Sequence, residues 1–219
     1  MMAASMAAGR ARLPILLAVL LLQGCDAASG QANFAQRARP DLYDCEGCEG
    51  ALERSAATLT ASARMSPPGE PGQPLVLEGV VRKPVRGAPP AAGIVLYAYQ
   101  TNAAGRYAGG VRGSEASLRH GRLRGWVRTG TDGRYRFATI KPAPYPNTTI
   151  PAHIHFTVLE PGKRPYWIDD IVFAGEFGVT PAYRRSMSNK GGNGITRLKR
   201  SANGVLHARR DIVLERHPR

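Results

Sequence analysis

Short runs of alternating or β-branched apolar residues recur through most of this chain, and turn residues separate them. The 25 glycines and 17 prolines among its 219 residues supply turn signals between these runs. Runs of about four to eight such residues bounded by turns are typical of β-strands. The predicted strands are 75–81, 94–99, 135–139, 152–160, 166–173 and 205–214. Six strands at this spacing predict an all-β fold, an antiparallel β-sandwich.

Two long stretches interrupt this rhythm, at 108–124 and 177–200. Both are basic and rich in glycine, and neither has the alternation of a strand. Loops of this length are often functional. Each stretch is therefore a candidate wall of a functional site.

The first 24 residues have the pattern of an export signal. Arg10 and Arg12 precede an apolar run at 13–22, which is too short to cross a bilayer, and the run ends in Leu-Gln-Gly-Cys at Cys25. That ending resembles a bacterial lipobox, which implies cleavage before Cys25 and attachment of lipid to its thiol. The alternative, an N-terminal helix buried in a core, agrees less well with the polar stretch that follows. The prediction is a signal peptide over 1–24 and a lipid-anchored tether over 25–40.

This reading predicts an exported protein, anchored to the bacterial cell envelope and facing the periplasm or the cell surface. Residues 41–74 then form an N-terminal extension before the sandwich domain at 75–219. The extension holds Cys45 and Cys48, and close cysteines in an oxidising compartment predict a disulfide. A redox motif needs a βαβ context and a zinc site needs two further ligands, and the neighbouring sequence offers neither. Residues 49–64 favour a short helix.

The basic composition narrows the choice of partners. Thirty Lys and Arg against 16 Asp and Glu give a formal net charge of +14. The sequence has no recognition-helix pattern and no aromatic stacking platform, so we predict that the chain does not bind nucleic acid. Three readings of the charge remain: attraction to an anionic membrane surface, attraction to an anionic aromatic substrate, or a solvated basic surface without a partner.

Candidate chemistry lies where His153 and His155 alternate along the predicted strand at 152–160. Side chains two residues apart on a strand share a face, with Cα atoms about 6.6 Å apart, so both imidazoles can reach one metal ion. An isolated His-x-His pair is a weak signal. Tyr145 in a proline-rich loop before the strand and Tyr107 further upstream add two phenols. Two phenolates and two neutral imidazoles form a hard, anionic ligand set that suits ferric iron.

These motifs and the segments around them resemble the intradiol ring-cleavage dioxygenases of the catechol and protocatechuate type. The resemblance covers about residues 75–172. Its specific part is the order of a first tyrosine, a Thr-Asp-Gly turn leading into a Tyr-x-Phe strand, a Tyr-Pro pair and a His-x-His pair. The matching pieces are 93–100, 105–107, 125–142, Tyr145-Pro146 and 151–156.

The resemblance implies a β-sandwich that binds Fe(III) through Tyr107, Tyr145, His153 and His155. It further implies a catechol-type aromatic substrate, dioxygen as co-substrate and a muconate-type diacid as product. Tyr145 would leave the metal and accept a substrate proton as the general base. A homo-oligomer is compatible with the sequence.

Three positions depart from the family pattern. Ile150 stands three residues before the first ligand histidine, where the family usually has an arginine; Asp170 stands for a glutamine, and Tyr99 for a tryptophan. Loss of one electrostatic donor costs on the order of 10²–10³ in rate. Two further hypotheses therefore stand beside the dioxygenase. One is a catalytically impaired metal- or carbohydrate-binding sandwich lipoprotein, and the other is a structural surface lipoprotein.

Overall fold

Two β-sheets pack face to face in the computed structural model, which describes residues 38–109 and 112–218. The predicted signal peptide and Cys25 lie outside these residues. Within the described ranges, no helix has the length and apolarity that a membrane crossing requires. The strands of this part of the chain are β1 (Ser62–Arg64), β2 (Pro74–Arg82), β3 (Val95–Gln100), β4 (Arg124–Arg128), β5 (Arg134–Ile140), β6 (His153–Leu159), β7 (Tyr166–Phe173), β8 (Ile195–Thr196), β9 (Lys199–Arg200), β10 (Leu206–Arg209) and β11 (Ile212–Val213).

The first sheet has the order β1-β5-β2-β10-β9, with β11 also paired to β2, and the second has the order β4-β3-β6-β7-β8. The long central pairs are antiparallel: β2 with β5, β3 with β4 and β6, and β6 with β7. The predicted all-β sandwich is confirmed. Four short pairs are parallel, namely β1 with β5, β10 and β11 with β2, and β8 with β7.

The core lies between the inner faces of the two sheets. Alternate residues of β3, β6 and β7 point into it, including Leu96, Phe156 and Ile168, and they meet Leu77 and Phe137 from the first sheet. The Phe137 and Phe156 rings pack edge to face, 5.9 Å apart. Because side chains alternate along a strand, the intervening residues of the second sheet lie on its other, outer face.

The helical content is small and differs from the prediction. Residues 49–64 form two 3₁₀ helices, Cys48–Leu52 and Ala56–Thr58, followed by β1. The predicted short helix over 49–64 is wrong because residues 54–58 are all exposed, so no apolar stripe continues past Ala51. The α-helices of the described residues are α1 (Glu115–Leu118) and α2 (Pro181–Ser186), one in each predicted long loop.

The predicted strand at 205–214 divides into β10 and β11. The break at Arg210 occurs where its carbonyl crosses Gly79 of β2, and a Cβ at Gly79 would lie 1.7 Å from that oxygen. Glycine at position 79 therefore permits two successive short strands to pair with one edge of β2. The strand β4 was not predicted, because a glycine and two arginines within five residues hide its alternation.

The N-terminal part of the described chain packs against the sandwich and contacts residues near the C-terminal end. Leu42 and Met65 belong to the same buried cluster as the strands. Tyr43 Oη lies 2.6 Å from His217 Nδ1, and Arg39 Nε lies 3.0 Å from Glu215 Oε2. The two ends of the described chain therefore lie side by side.

Candidate metal centre

The outer face of the second sheet carries the residues that the sequence singled out. His153 and His155 alternate with the core residue Ile154 on β6, so both imidazoles leave on the outer side. On the neighbouring strand β3, Tyr99 lies directly opposite His155 in the antiparallel register. This pairing places an aromatic ring against the second histidine, with the two ring centroids 4.4 Å apart and stacked.

Two loops bring the tyrosines to this face. The Asn102 side chain accepts hydrogen bonds from the backbone N–H groups of Ala104 and Arg106, which closes a turn just before Tyr107. Gly105 in this turn has a φ of +72°, and a Cβ there would lie 2.0 Å from the Pro144 carbonyl oxygen. The two loops are therefore in direct contact, and that contact sets the spacing of Tyr107 and Tyr145.

Four donor atoms converge at one point. Tyr107 Oη lies 2.5 Å from Tyr145 Oη and 2.9 Å from His155 Nε2. His153 Nε2 lies 3.2 Å from Tyr145 Oη and 3.0 Å from His155 Nε2. The structure thus brings together the four predicted ligands, from two loops and one strand.

The other nitrogen of each imidazole has an acceptor as its partner. His153 Nδ1 lies 2.7 Å from the Pro151 carbonyl oxygen, and His155 Nδ1 lies 2.9 Å from Asp170 Oδ1. Burial acts to raise the pKa of Asp170, but the facing His155 outweighs it, so this pKa is lowered and the carboxylate is ionised. Because both oxygens accept, both Nδ1 atoms donate, and in the neutral rings both Nε2 atoms hold a lone pair.

Two lone pairs at 3.0 Å repel each other unless a cation or a proton lies between them. Burial, and then the neighbouring His155, lower the pKa of His153, which disfavours the proton. The arrangement therefore fits a metal cation held by two imidazoles and two phenols. A ligating histidine whose second N–H is bound to a carbonyl or carboxylate is the usual arrangement at such sites.

The phenols are neutral at pH 7 in the protein without a cation. Burial, and then the hydrogen bond with Tyr145, raise the pKa of Tyr107 far above its ordinary value of 10.0. Burial also raises the pKa of Tyr145. A bound trivalent ion reverses this preference because its charge stabilises the phenolates. The site is thus suited to hold two negative charges when a strongly charged cation is present.

A β-bulge explains how Asp170 reaches His155. The register of β6 with β7 shifts between Ile154 and Phe156, so Asp169 and Asp170 both lie opposite His155. Bulges re-aim side chains next to functional sites. The role of Asp170 as the partner of His155 was not predicted. Two adjacent acids within an otherwise alternating strand are the signal that indicates such a bulge.

His155 is the end of a stack of three rings, in which Tyr99 lies between His155 and His120. The His120 ring lies 3.7 Å from the Tyr99 ring and nearly parallel to it, and Tyr99 in turn stacks on His155. The Tyr97 hydroxyl and His120 Nδ1 are hydrogen-bonded at 2.8 Å. Burial, and then His155, lower the pKa of His120 to about 4, so this ring is neutral at pH 7. His120 was missed because a single histidine in a long loop carries no pattern.

A cavity of about 360 Å³ opens beside His155 on the outer face. The predicted loop 177–200 contributes Tyr183, Ser186, Met187 and Ser188 to its lining, and the extension contributes Cys45 and Glu46. Cys45 and Cys48 are joined by a disulfide, with Cα atoms 5.8 Å apart. Trp167 Nε1 donates to the Asp44 carbonyl at 3.0 Å, which holds the extension over the sheet.

Position 150, where the family usually has an arginine, holds an isoleucine, and residues 147–152 include no lysine or arginine. Ile150 is 46% exposed. Two arginines near the family motifs do not take its place: Arg134 lies on the first sheet in an ion pair with Asp132, and the Arg106 side chain is exposed. The departure at Ile150 is therefore a real difference in the composition of this site.

A β-sandwich whose outer face gathers two phenols and two imidazoles defines a candidate non-haem metalloprotein. The dioxygenase family model (Dioxygenase_C) matches residues 50–214, and the chain belongs to this dioxygenase family. Over 97 residues it is 40% identical to the protocatechuate 3,4-dioxygenase beta chain of Burkholderia cepacia, covering 41% of this chain and 40% of that protein. Over 170 residues it is 29% identical to catechol 1,2-dioxygenase 2 of Acinetobacter lwoffii, covering 65% of this chain and 60% of that protein.

The fold comparison agrees with this assignment. The dioxygenase domain of a dioxygenase and carbohydrate-binding protein fusion from Streptomyces sp. SirexAA-E superposes with a TM-score of 0.50 at 23% identity, covering 74% of this chain and 96% of that domain. This similarity supports the sandwich fold. The chain spans about half the length of the two curated relatives described above.

Proposed function

We propose that this protein is a non-haem iron(III) dioxygenase that opens a catecholic ring between its two hydroxyl-bearing carbons and inserts both atoms of O2, giving a muconate-type diacid. The observation that carries the proposal is the convergence of Tyr107 Oη, Tyr145 Oη, His153 Nε2 and His155 Nε2, at separations of 2.5–3.2 Å. The membership of the dioxygenase family supports the same reaction class.

Ferric iron, when bound, would withdraw electron density from a coordinated catecholate and make the ring reactive toward dioxygen. The protein residues supply the geometry for this chemistry. His153 and His155, held through Nδ1 by Pro151 and Asp170, would bind the ion through their Nε2 atoms. Tyr107 and Tyr145 supply two phenolate oxygens, which match the hardness of a ferric ion.

Tyr145 is the candidate general base. It lies in a loop rather than on a strand, and its Oη is at hydrogen-bond distance from both Tyr107 and His153. The same burial that raises its pKa would make its phenolate a strong proton acceptor. Tyr145 would therefore accept a proton from the incoming catechol, and Tyr107, His153 and His155 are the other residues that would hold the metal.

The test compares iron content, the visible absorption of tyrosinate-to-iron charge transfer, and catechol cleavage. His155→Ala removes a ligand and should abolish iron binding and colour. Tyr145→Phe removes one oxygen at nearly constant volume and should suppress cleavage more than iron retention. Ile154→Val is the control on the same strand; it faces the core and should cost about 0.5–1.5 kcal/mol of stability with colour unchanged. Colourless, iron-free wild-type protein after iron-replete expression would refute the proposal.

We further propose that the protein is exported and anchored to the cell envelope by lipid on Cys25. The support is the sequence Leu-Gln-Gly-Cys after an apolar run with two preceding arginines. Cys25→Ser should abolish the membrane-bound form and remove the mass of the lipid. Unchanged membrane fractionation and unchanged mass in that variant would contradict the anchor.

A further inference from the structure

The cavity beside His155 has an unusual charge composition for a protein with a formal net charge of +14. None of the described residues that line it is a lysine or an arginine. Its charged lining residues are instead the acids Glu46, Asp169 and Asp170. Long-range attraction of anions to the basic surface therefore does not continue into the space next to the candidate metal centre.

Two inner acids, Asp169 and Asp170, line the cavity from the bulge in β7. Asp170 Oδ1 is held by His155 Nδ1 at 2.9 Å. Asp169 is 5% exposed, and its carboxylate accepts hydrogen bonds from the Ser188 hydroxyl and, at 2.7 Å, from the Asn189 backbone N–H. The donors to the Asp169 carboxylate are neutral, and the buried Arg210 donates to the backbone carbonyl of the same residue.

Three cations beside the cavity, Arg119, Arg210 and Lys190, each have other partners. At the rim, Arg119 pairs with Glu46 at 2.9 Å, and both side chains are more than half exposed. The Arg210 guanidinium lies on the core side of the sheet, 6.0 Å from the Phe156 ring centre, and donates to the backbone carbonyls of Asp169 and Lys190. Arg119 is thus paired with an acid at the rim and Arg210 is buried, while the exposed Arg184 and Arg185 of α2 are not among the residues that line the cavity.

The Lys190 ammonium is also buried and in contact with other groups. Its ammonium lies 3.8 Å from the centre of the Trp167 ring and 3.9 Å from Asp41 Oδ2, and its side chain is 1% exposed. The Trp167 ring belongs to the cavity wall, together with the rings of Tyr99 and Tyr183. Aromatic faces carry negative charge density and favour apolar or cationic groups.

Resting on the proposed function, we propose that the substrate is a catechol whose ring substituents carry no negative charge, and that this cavity rejects catechols bearing a ring carboxylate. A buried carboxylate without a cationic partner loses its hydration, and like charges placed together add repulsion. Neutral or cationic substituents on the catechol ring would instead contact aromatic rings and acidic side chains, and these contacts are favourable.

The matched substrate pair for the test is 3,4-dihydroxybenzamide and 3,4-dihydroxybenzoate, which differ in charge at nearly the same size. The amide should have a kcat/KM at least about tenfold higher, in line with the usual penalty for a like-charge contact. The amide group withdraws more electron density from the ring, so intrinsic reactivity works against this preference. Equal values, or a preference for the benzoate, would overturn the inference.

Ser186→Lys places a cation on the cavity wall and should raise relative use of the benzoate severalfold. Ala57→Lys adds the same charge at an exposed position that does not line the cavity, and should leave the ratio unchanged. An unchanged ratio in Ser186→Lys, or the same change in both variants, would overturn the inference. A shift confined to Ser186→Lys would support it.

Binding without oxygen separates this inference from the proposed function. Dissociation constants of both compounds are measured from the change in visible absorption of the iron-loaded protein, and should favour the amide to a similar extent. If unsubstituted catechol is cleaved but the two compounds bind equally, the selectivity inference fails and the dioxygenase stands. If the protein binds no iron and cleaves no catechol, both fail together.

Discussion

His120 should make the stability of the iron-free protein depend strongly on pH between 6.5 and 4. Its ring is 7% exposed, stacked on Tyr99 and hydrogen-bonded to the Tyr97 hydroxyl. Burial, and then the charge of His155, lower its pKa from 6.5 to about 4. In that pH interval the unfolded chain binds a proton that the folded protein does not bind. The free energy of unfolding therefore falls as the pH falls.

The size of the effect follows from the two pKa values. At 1.36 kcal/mol per pKa unit, the gap between 6.5 and about 4 amounts to about 3 kcal/mol once the pH is below both values. Most of this loss, about 2.5 kcal/mol, should appear between pH 7.5 and pH 4.5. For a domain stabilised by about 5–15 kcal/mol, such a loss is easily measured.

The assay is urea unfolding of chelator-treated protein at several pH values, for the wild type and for His120→Gln. The variant should be less stable at pH 7.5, and the difference should shrink or reverse by pH 4.5. Trp126→Phe is the control, because this ring stacks on Tyr97 at 4.8 Å and has no titrating group. It should lower stability by a similar amount at every pH. Parallel pH profiles for the wild type and His120→Gln would refute the reasoning.

Two further predictions concern the support of the metal centre. Gly105→Ala should lower both stability and iron retention, because its Cβ would lie 2.0 Å from the Pro144 carbonyl oxygen. Gly69→Ala is the control, because Gly69 has a similar positive φ but no atom within 4 Å of the added Cβ. This control should lose about 1–2 kcal/mol of stability and leave the iron content unchanged. Equal effects of the two substitutions, measured by thermal unfolding and iron content, would contradict the loop contact. Asp170→Asn should weaken iron binding about 10–100-fold in a chelator competition, since the carboxylate orients His155; unchanged affinity would exclude this role.

The sequence predicted the parts of this molecule that local pattern determines. The strand at 166–173 was predicted with its observed bounds, and the alternation of His153 and His155 placed both rings on one face of β6. Long runs with a period of two specify a strand and its buried face without knowledge of the partner strand. Tyr107 and Tyr145 were found through the family motif.

What the sequence did not predict depends on contacts between distant segments. His120 has a role because its loop folds back against Tyr99, and no neighbouring residue records that contact. The function of Asp170 requires a bulge, which changes the register opposite one residue of β6. The two-residue strand β11 exists because Gly79 leaves space for a crossing carbonyl. Such features arise from tertiary packing, which overrides local propensity.

The side-by-side placement of the two chain ends has a consequence for the order of folding. The extension that lines the cavity beside His155 comes early in the described chain, but its contacts are with residues much later in the chain: Asp44 with Trp167, Cys48 with Thr157 and Tyr43 with His217. Contacts separated by more than 100 residues form slowly, because a long loop must close before they are gained. Nearly the whole chain must therefore be synthesised before the extension can make these contacts. The cavity beside His155 should accordingly be completed late, where the finished protein folds rather than during its synthesis.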